Sequence, residues 1–374
     1  MRKRIGILTA GSDSPGLNAT IRGLGKAALG TFGMDLIGFV DGFQGLVEDK
    51  TVEIFSTDLS GILTDGGTFL GTSRDSIQDY PLNDGSTADR TDQAIETLKK
   101  HKLDALVCLG GHETQITALH LQKKGVNIIG IPKSITNNIP QTDTSVGFDT
   151  ALGVATEAID RLHSTAHSHH RIMIVEIMGR HAGWLTLGAG IAGGADAILI
   201  PEIAYDPKLV AQAINDRRSS GKRFSIIAVA ENAMSLDYVE FFEHSRKMNH
   251  RLRSGEEETK IDQELSRIEN QIQGNTLLLA DRLHAFTGLD TRITILGHLL
   301  RGGTPSASDR LLATQFGTAC ADLIQRKQYG VMIAKQGMQT VPVPLEQIAG
   351  KVKQVPLDDP WIIGAKHVGT VFGD

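Results

Sequence analysis

The chain has 374 residues, 40% hydrophobic and 22% charged, with a formal net charge of −5. That length exceeds what one ordinary hydrophobic core organises, so two domains are expected in a globular protein. The acidic balance (pI near 6.2) argues against nucleic acid or an anionic membrane as the main partner. Two cysteines, Cys108 and Cys320, exclude a disulfide framework, and no apolar run reaches the roughly 18–20 residues of a membrane span. With no secretion signal after Met1, a cytoplasmic location is expected.

In chain order, residues 4–9 read as a strand running into Gly11-Ser12-Asp13-Ser14-Pro15-Gly16, and a helix starting near Pro15 carries Leu17, Ile21, Leu24 and Ala28 at helical spacing. A strand at 34–39, a loop at 41–46 and the run Gly66 to Arg74 follow, the last ending Gly71-Thr72-Ser73-Arg74. A helix at 92–101 precedes the strand 104–110, a helix spans 114–124, and a strand covers 127–131. The alternation of strand and helix predicts a parallel sheet. A long helix from 146–151 to about His163 leads into the second half. There, strands at 171–177, 196–200, 224–230 and 291–296 are separated by helices at 185–194 and 207–219. Between them, residues 235–288 read as a charged helical insertion with Ile261, Leu265, Ile268 and Ile272 on one face. A helix at 306–328, a strand at 330–335 and a polar tail complete the chain, and no short-period repeat is present.

Two segments draw the functional argument: Leu109-Gly110-Gly111-His112-Glu113-Thr114, and Pro132-Lys133-Ser134-Ile135-Thr136-Asn137-Asn138. Each follows a buried strand, where open α/β sheets bind ligands. Glycine pairs there let the backbone approach a phosphate, and a helix amino end adds free N–H groups. Singly, each run is equally well read as a tight turn without a ligand.

Taken as an ordered set, the motifs are far more specific. Gly11 to Gly16, Leu70 to Arg74, Gly110-Gly111, Pro132 to Ile135, Met178-Gly179-Arg180, Ile191 to Gly194 and Gly297-His298 to Gly303 closely resemble the phosphofructokinase family. The insertion and the Phe372-Gly373-Asp374 end resemble its longer branch, which contains ATP- and pyrophosphate-dependent members. The resemblance implies two Rossmann-like three-layer α/β domains with mainly parallel sheets. Residues 1–147 with 300–350 would form the larger, donor-site domain, and 148–299 with 351–374 the smaller, sugar-phosphate domain.

By resemblance, Ser134, Met178, Arg180 and Glu231 would contact fructose 6-phosphate, Arg180 also serving catalysis. His298 and Arg301 would hold the 6-phosphate, joined by Arg171 and Arg292 from a neighbouring copy; this implies a homodimer or homotetramer. Forked guanidinium donors suit a dianionic phosphate. Gly11, Ser12, Arg74, Gly111, Glu113, Thr114 and Lys133 would line the donor phosphates. Glu113 and Lys133 match pyrophosphate users, and a pair between them would fill the space of an adenosine diphosphate.

The phosphoryl-transfer residues depart from the family pattern. Its Mg2+-binding Asp is His112, its proton-accepting Asp is Thr136, and a further Asp is Asn138. Mg2+ wants oxygen ligands, and an alcohol accepts no proton near neutral pH. Losing a positioned base typically costs on the order of 10²–10⁴ in rate. The expectation is therefore a fructose 6-phosphate-binding protein whose phosphoryl transfer is impaired or absent, with an active paralogue as one candidate partner. An active kinase with altered catalytic groups and a metabolite sensor are the alternatives. For the sensor, Arg22, Lys26, Asp196 and Lys222 match the family's effector site in part, with His163 where a basic residue is usual.

Overall fold

The computed structural model describes every residue except 1, 83, 253–255 and 272–274. The chain divides into unit 1, Met1–Ala151 with Arg301–Lys353, and unit 2, Leu152–Leu300 with Gln354–Asp374. Unit 1 is built on seven strands: β1 (Arg4–Ala10), β2 (Asp35–Phe39), β3 (Thr51–Ile54), β6 (Ala105–Gly110), β7 (Ile128–Pro132), β12 (Val331–Gln336) and β13 (Gln339–Pro344). Their order is β13-β12-β7-β6-β1-β2-β3, parallel throughout except for β3 and β13 at the two edges. A separate ribbon pairs β4 (Tyr80–Pro81) with β5 (Thr87–Ala88).

The period of two along the buried strands sends side chains to two cores. Ile5, Ile7, Val107 and Leu109 face α1 (Leu17–Gly25) and α11 (Ala307–Gln325) through Leu17, Ile21, Leu24, Phe316 and Ile324. Leu8, Leu106 and Cys108 face α2 (Phe43–Glu48), α3 (Thr91–Lys100) and α4 (His112–Lys123) through Phe43, Leu98 and Leu121. Helices on both faces of a parallel sheet make three layers, as expected. α1 and α11 approach at Gly317, where an added Cβ would lie 2.3 Å from the Leu24 backbone nitrogen.

Unit 2 holds four parallel strands, β8 (Ile172–Ile177), β9 (Ala197–Leu199), β10 (Ser225–Ala230) and β11 (Thr291–Ile295), in the order β11-β8-β10-β9. α7 (Pro207–Ser219) and α10 (Asn275–Thr287) cover one face with Val210, Ile214, Leu279 and Leu283. α6 (Trp184–Ala192) packs on β9 and β10, and α12 (Pro360–His367) packs on α6 with Trp361 edge-on to Trp184. The insertion forms α8 (Leu236–Leu252), α9 (Glu256–Gln271) and α10. Of its expected apolar face, Ile261 and Leu265 are half-buried, Ile268 is 46% exposed, and Ile272 lies outside the described residues.

The structure corrects several readings. The expected loop at 41–46 contains α2, too short at six residues to show a period. The polar tail contains β13 and α12. Pro342 and Pro344 disguised β13, which tolerates them because it is an edge strand. α5 (Phe148–His169) runs six residues past His163. Near its start, buried Asp309 of α11 accepts hydrogen bonds from Gly147 N and Thr150 N, both at 2.8 Å, and from Thr150 Oγ1. Burial pushes the Asp309 carboxyl above its usual range.

Two outcomes are expected. Gly317→Ala should cost about 1–3 kcal/mol in chemical denaturation, since the new methyl meets backbone that cannot yield. Asp309→Ala should cost about 2–4 kcal/mol, because it strands two buried N–H groups, and Asp309→Asn less.

Candidate active site

In unit 1, Ala10 pairs with Gly110 and Gly110 with Pro132, so β1, β6 and β7 end in one row. The chain leaves β1 toward β2 and later returns to place β6 on the other side. This is a topological switch point, and its crevice lies at the carboxyl ends of the strands. Three loops leave that row: Gly11 to Gly16, Gly111 into α4, and Lys133 to Asn138. Gly11 has φ 83°, a left-handed turn that glycine adopts without strain. The loop at 71–74 is bonded to the first, with Gly11 N donating to Ser73 O at 2.8 Å and Thr72 Oγ1 to Gly11 O at 2.8 Å.

Lys133 is 4% exposed, and its ammonium donates to Ser12 O. Burial pushes it down to about 7; Asp13 opposes that shift, while Arg301 and Arg74 add to it. Arg74 Nη2 donates to Ser12 Oγ at 3.1 Å, so the serine hydroxyl ties the arginine to the loop. Gly111 precedes α4, and buried Thr114 in the first turn packs beside Gly110 and Gly11. The expected Glu113–Lys133 pair is not formed. Glu113 is 88% exposed and meets only the His112 ring at 4.0 Å, whereas Lys133 is turned inward to Ser12. Without that pair, the reason to exclude an adenosine diphosphate falls away.

Beyond β7, Ser134, Thr136 and Asn138 close into one neutral cluster. Ser134 Oγ donates to Asn138 Oδ1 at 2.7 Å and lies 3.2 Å from Thr136 Oγ1. Sequence reasoning missed Lys353, which braces this turn and the segment after it from far along the chain. Its N donates to Asn138 O, and its Nζ donates to Thr142 O at 2.8 Å and Asp143 O at 3.0 Å. Burial lowers the Lys353 ammonium to about 8. No local pattern marks such a residue, because these three bonds run to main-chain carbonyls far away in the chain.

The resemblance implies Mg2+, but these residues do not fit a resident ion. His112 offers imidazole, the adjoining carboxylate of Glu113 points to solvent, and Thr136 and Asn138 are uncharged. Among the described residues no group of three or more His, Cys, Asp or Glu is arranged to hold a metal.

In unit 2, the carboxyl ends of β11, β8 and β10 bring another set together. Glu231 N donates to Ile177 O at 2.9 Å, and Leu296 N to Glu176 O at 3.0 Å. Met178 and Arg180 after β8, Glu231 after β10 and His298 after β11 therefore leave neighbouring strand ends. Asn232 Nδ2 donates to Arg180 O, joining two of these loops. Arg171 and Arg292 lie at the opposite, amino end of the same sheet, both paired with Asp290 at 2.6 Å. Arg301 belongs to unit 1. Of the effector-type residues, Asp196 pairs with Arg217 at 2.7 Å and His163 Nε2 meets Gly193 O at 2.7 Å in unit 2, whereas Arg22 and Lys26 belong to unit 1.

Comparison with known proteins identifies the family. Residues 4–324 match the family described as Phosphofructokinase. The chain is 50% identical over 374 residues to an ATP-dependent 6-phosphofructokinase of Propionibacterium freudenreichii, covering 100% of both chains. It is 48% identical to one of Spirochaeta thermophila, covering 100% of this chain and 98% of that one. Pichia pastoris phosphofructokinase in the T-state superposes with a TM-score of 0.75 at 30% identity, over 93% of this chain and 35% of that chain. A pyrophosphate-dependent phosphofructokinase from Marinobacter aquaeolei shares the fold at 18% identity, with a TM-score of 0.76 over 96% of this chain and 88% of that one. From β1 through α11, and along the whole length of its relatives, this chain belongs to the phosphofructokinase family.

Proposed function

We propose that the chain is a 6-phosphofructokinase, carrying a phosphoryl group from ATP to the 1-hydroxyl of fructose 6-phosphate. The observation that carries this reading is the full-length identity of 50% and 48% to relatives named ATP-dependent 6-phosphofructokinase. The exposed Glu113, unpaired with Lys133, supports ATP over pyrophosphate as donor. In this reading Gly11, Ser12, Arg74, Gly111, Glu113, Thr114 and Lys133 receive the donor phosphates. Ser134, Met178, Arg180, Glu231, His298 and Arg301 receive the sugar phosphate, and Arg180 also stabilises charge on the transferred group. Arg171 and Arg292 serve the pocket of a neighbouring copy, which their position at the far end of the unit 2 sheet supports. A homodimer or homotetramer follows.

One observation favours a second reading. The cluster of Ser134, Thr136 and Asn138 contains no group that takes a proton near neutral pH. A fructose 6-phosphate-binding chain with slowed or lost transfer, acting as a regulatory subunit, is consistent with that chemistry.

A coupled assay with ATP or pyrophosphate, Mg2+ and fructose 6-phosphate decides between the two. Turnover on the order of 1–100 s⁻¹ is expected of the kinase; product below the assay background, with fructose 6-phosphate still bound, selects the second reading. Thr136→Asp combined with Asn138→Asp then raises the rate by about 10² or more if the missing base is what limits transfer. For the shared pocket, Arg171→Ala/Arg292→Ala chains mixed with His298→Ala chains should regain fructose 6-phosphate sites that neither has alone. Failure of any mixture to regain them would show that each chain completes its own pocket.

A further inference from the structure

We propose that the donor loops of unit 1 hold a polyphosphate without a divalent cation, through Lys133, Arg74 and the amino end of α4, and take up a proton as they do so. This rests on the reading of those loops as the donor site. Its ground is a mismatch between the charges present and those a metal-bridged donor needs.

The cations are built in. Lys133 is buried against the Gly11 loop, with Ser12 O as its hydrogen-bond acceptor, and its side chain lies beside the Gly11 turn. Arg74 is fastened to the same serine. Arg301, expected at the sugar's 6-phosphate, belongs to unit 1 and is near enough to Lys133 to act on it. The 71–74 loop also carries Ser73, whose buried hydroxyl has no hydrogen-bond partner among the described residues. Facing these groups is one carboxylate that acts on Lys133, Asp13; on α4 stand His112, a poor Mg2+ ligand, and Glu113, pointing to solvent. Two or three fixed cations and a helix amino end can neutralise a phosphoanhydride without a bridging ion.

The proton follows from Lys133. Burial and the two arginines hold its ammonium at about 7, so near neutral pH it is only partly charged. A polyphosphate beside it brings negative charge, favours the charged form and raises that value, so binding at neutral pH draws a proton from solution. Below this range the lysine is already charged and no proton is taken up. Above it, each binding event must charge the lysine first, and affinity falls as pH rises.

Titration calorimetry with pyrophosphate, and with ATP as a second probe, tests this on the full chain in EDTA and in excess Mg2+. Repeating each run in two buffers of different ionisation enthalpy counts the protons. Expected are dissociation constants in EDTA within about tenfold of those in Mg2+, and, relative to Lys133→Met, whose runs count the proton the phosphate itself releases, an added proton uptake near pH 7 that vanishes at lower pH. Lys133→Met should weaken binding about tenfold or more and abolish the uptake. Should that variant fail to fold, exposed Arg74→Gln should weaken binding in EDTA while keeping most of the uptake, since burial is the main cause of the lysine's low value. Binding that requires Mg2+, or that proceeds in EDTA with no proton uptake, overturns the proposal and leaves the donor reading standing. Absence of binding by either probe in both conditions overturns the donor reading as well.

Discussion

The register of three parallel strands sets everything else in unit 1. Because Ala10, Gly110 and Pro132 stand side by side, loops that begin as far apart in the chain as Gly11 and Lys133 emerge in one crevice. A one-residue slip would invert each strand's side chains and exchange its two cores. The slip is prevented by burial on both faces, with Ile5, Ile7, Val107 and Leu109 committed to one helical layer and Leu8, Leu106 and Cys108 to the other. The site is thus positioned by apolar packing well behind it.

What that crevice holds is an unusual balance of charge. The resemblance implies carboxylates that gather a cation and accept a proton. At the positions it points to stand His112, Thr136 and Asn138, an imidazole, an alcohol and an amide, with Lys133 and Arg74 in the neighbouring loops. Lys133 concentrates the consequence. Its ammonium is desolvated, donates to a main-chain carbonyl and is supported by the Asp13 carboxylate against burial and two arginines, so its charge depends on what further anion stands beside it. In unit 2 the charges follow a different logic: Arg171 and Arg292 share Asp290 at the amino end of the sheet, away from Met178, Arg180, Glu231 and His298.

Much of the architecture was legible along the chain. The strands at 4–9, 104–110 and 224–230 are continuous apolar runs that only burial on both faces explains, and their alternation with helices predicted a parallel sheet. Elements with weak local signals were missed. α2 is shorter than two turns, and β13 alternates with prolines that only an edge strand accommodates. For the site, the glycine-rich runs and their order were readable, as was the presence of His112, Thr136 and Asn138 where the resemblance implies aspartates.

The sequence by itself determined the family, the parallel α/β plan and the identity of the groups that chemistry must work with, because these depend on residue type and order. Only the tertiary structure decided which groups meet. It turned Lys133 inward to Ser12 and left Glu113 in water, brought Lys353 to the turn of Thr136 and Asn138, and put Arg171 and Arg292 at the opposite end of the unit 2 sheet from Met178, Arg180, Glu231 and His298. The physical reason is that pairing and desolvation depend on distances of a few ångströms between groups far apart in the chain, which no local pattern encodes.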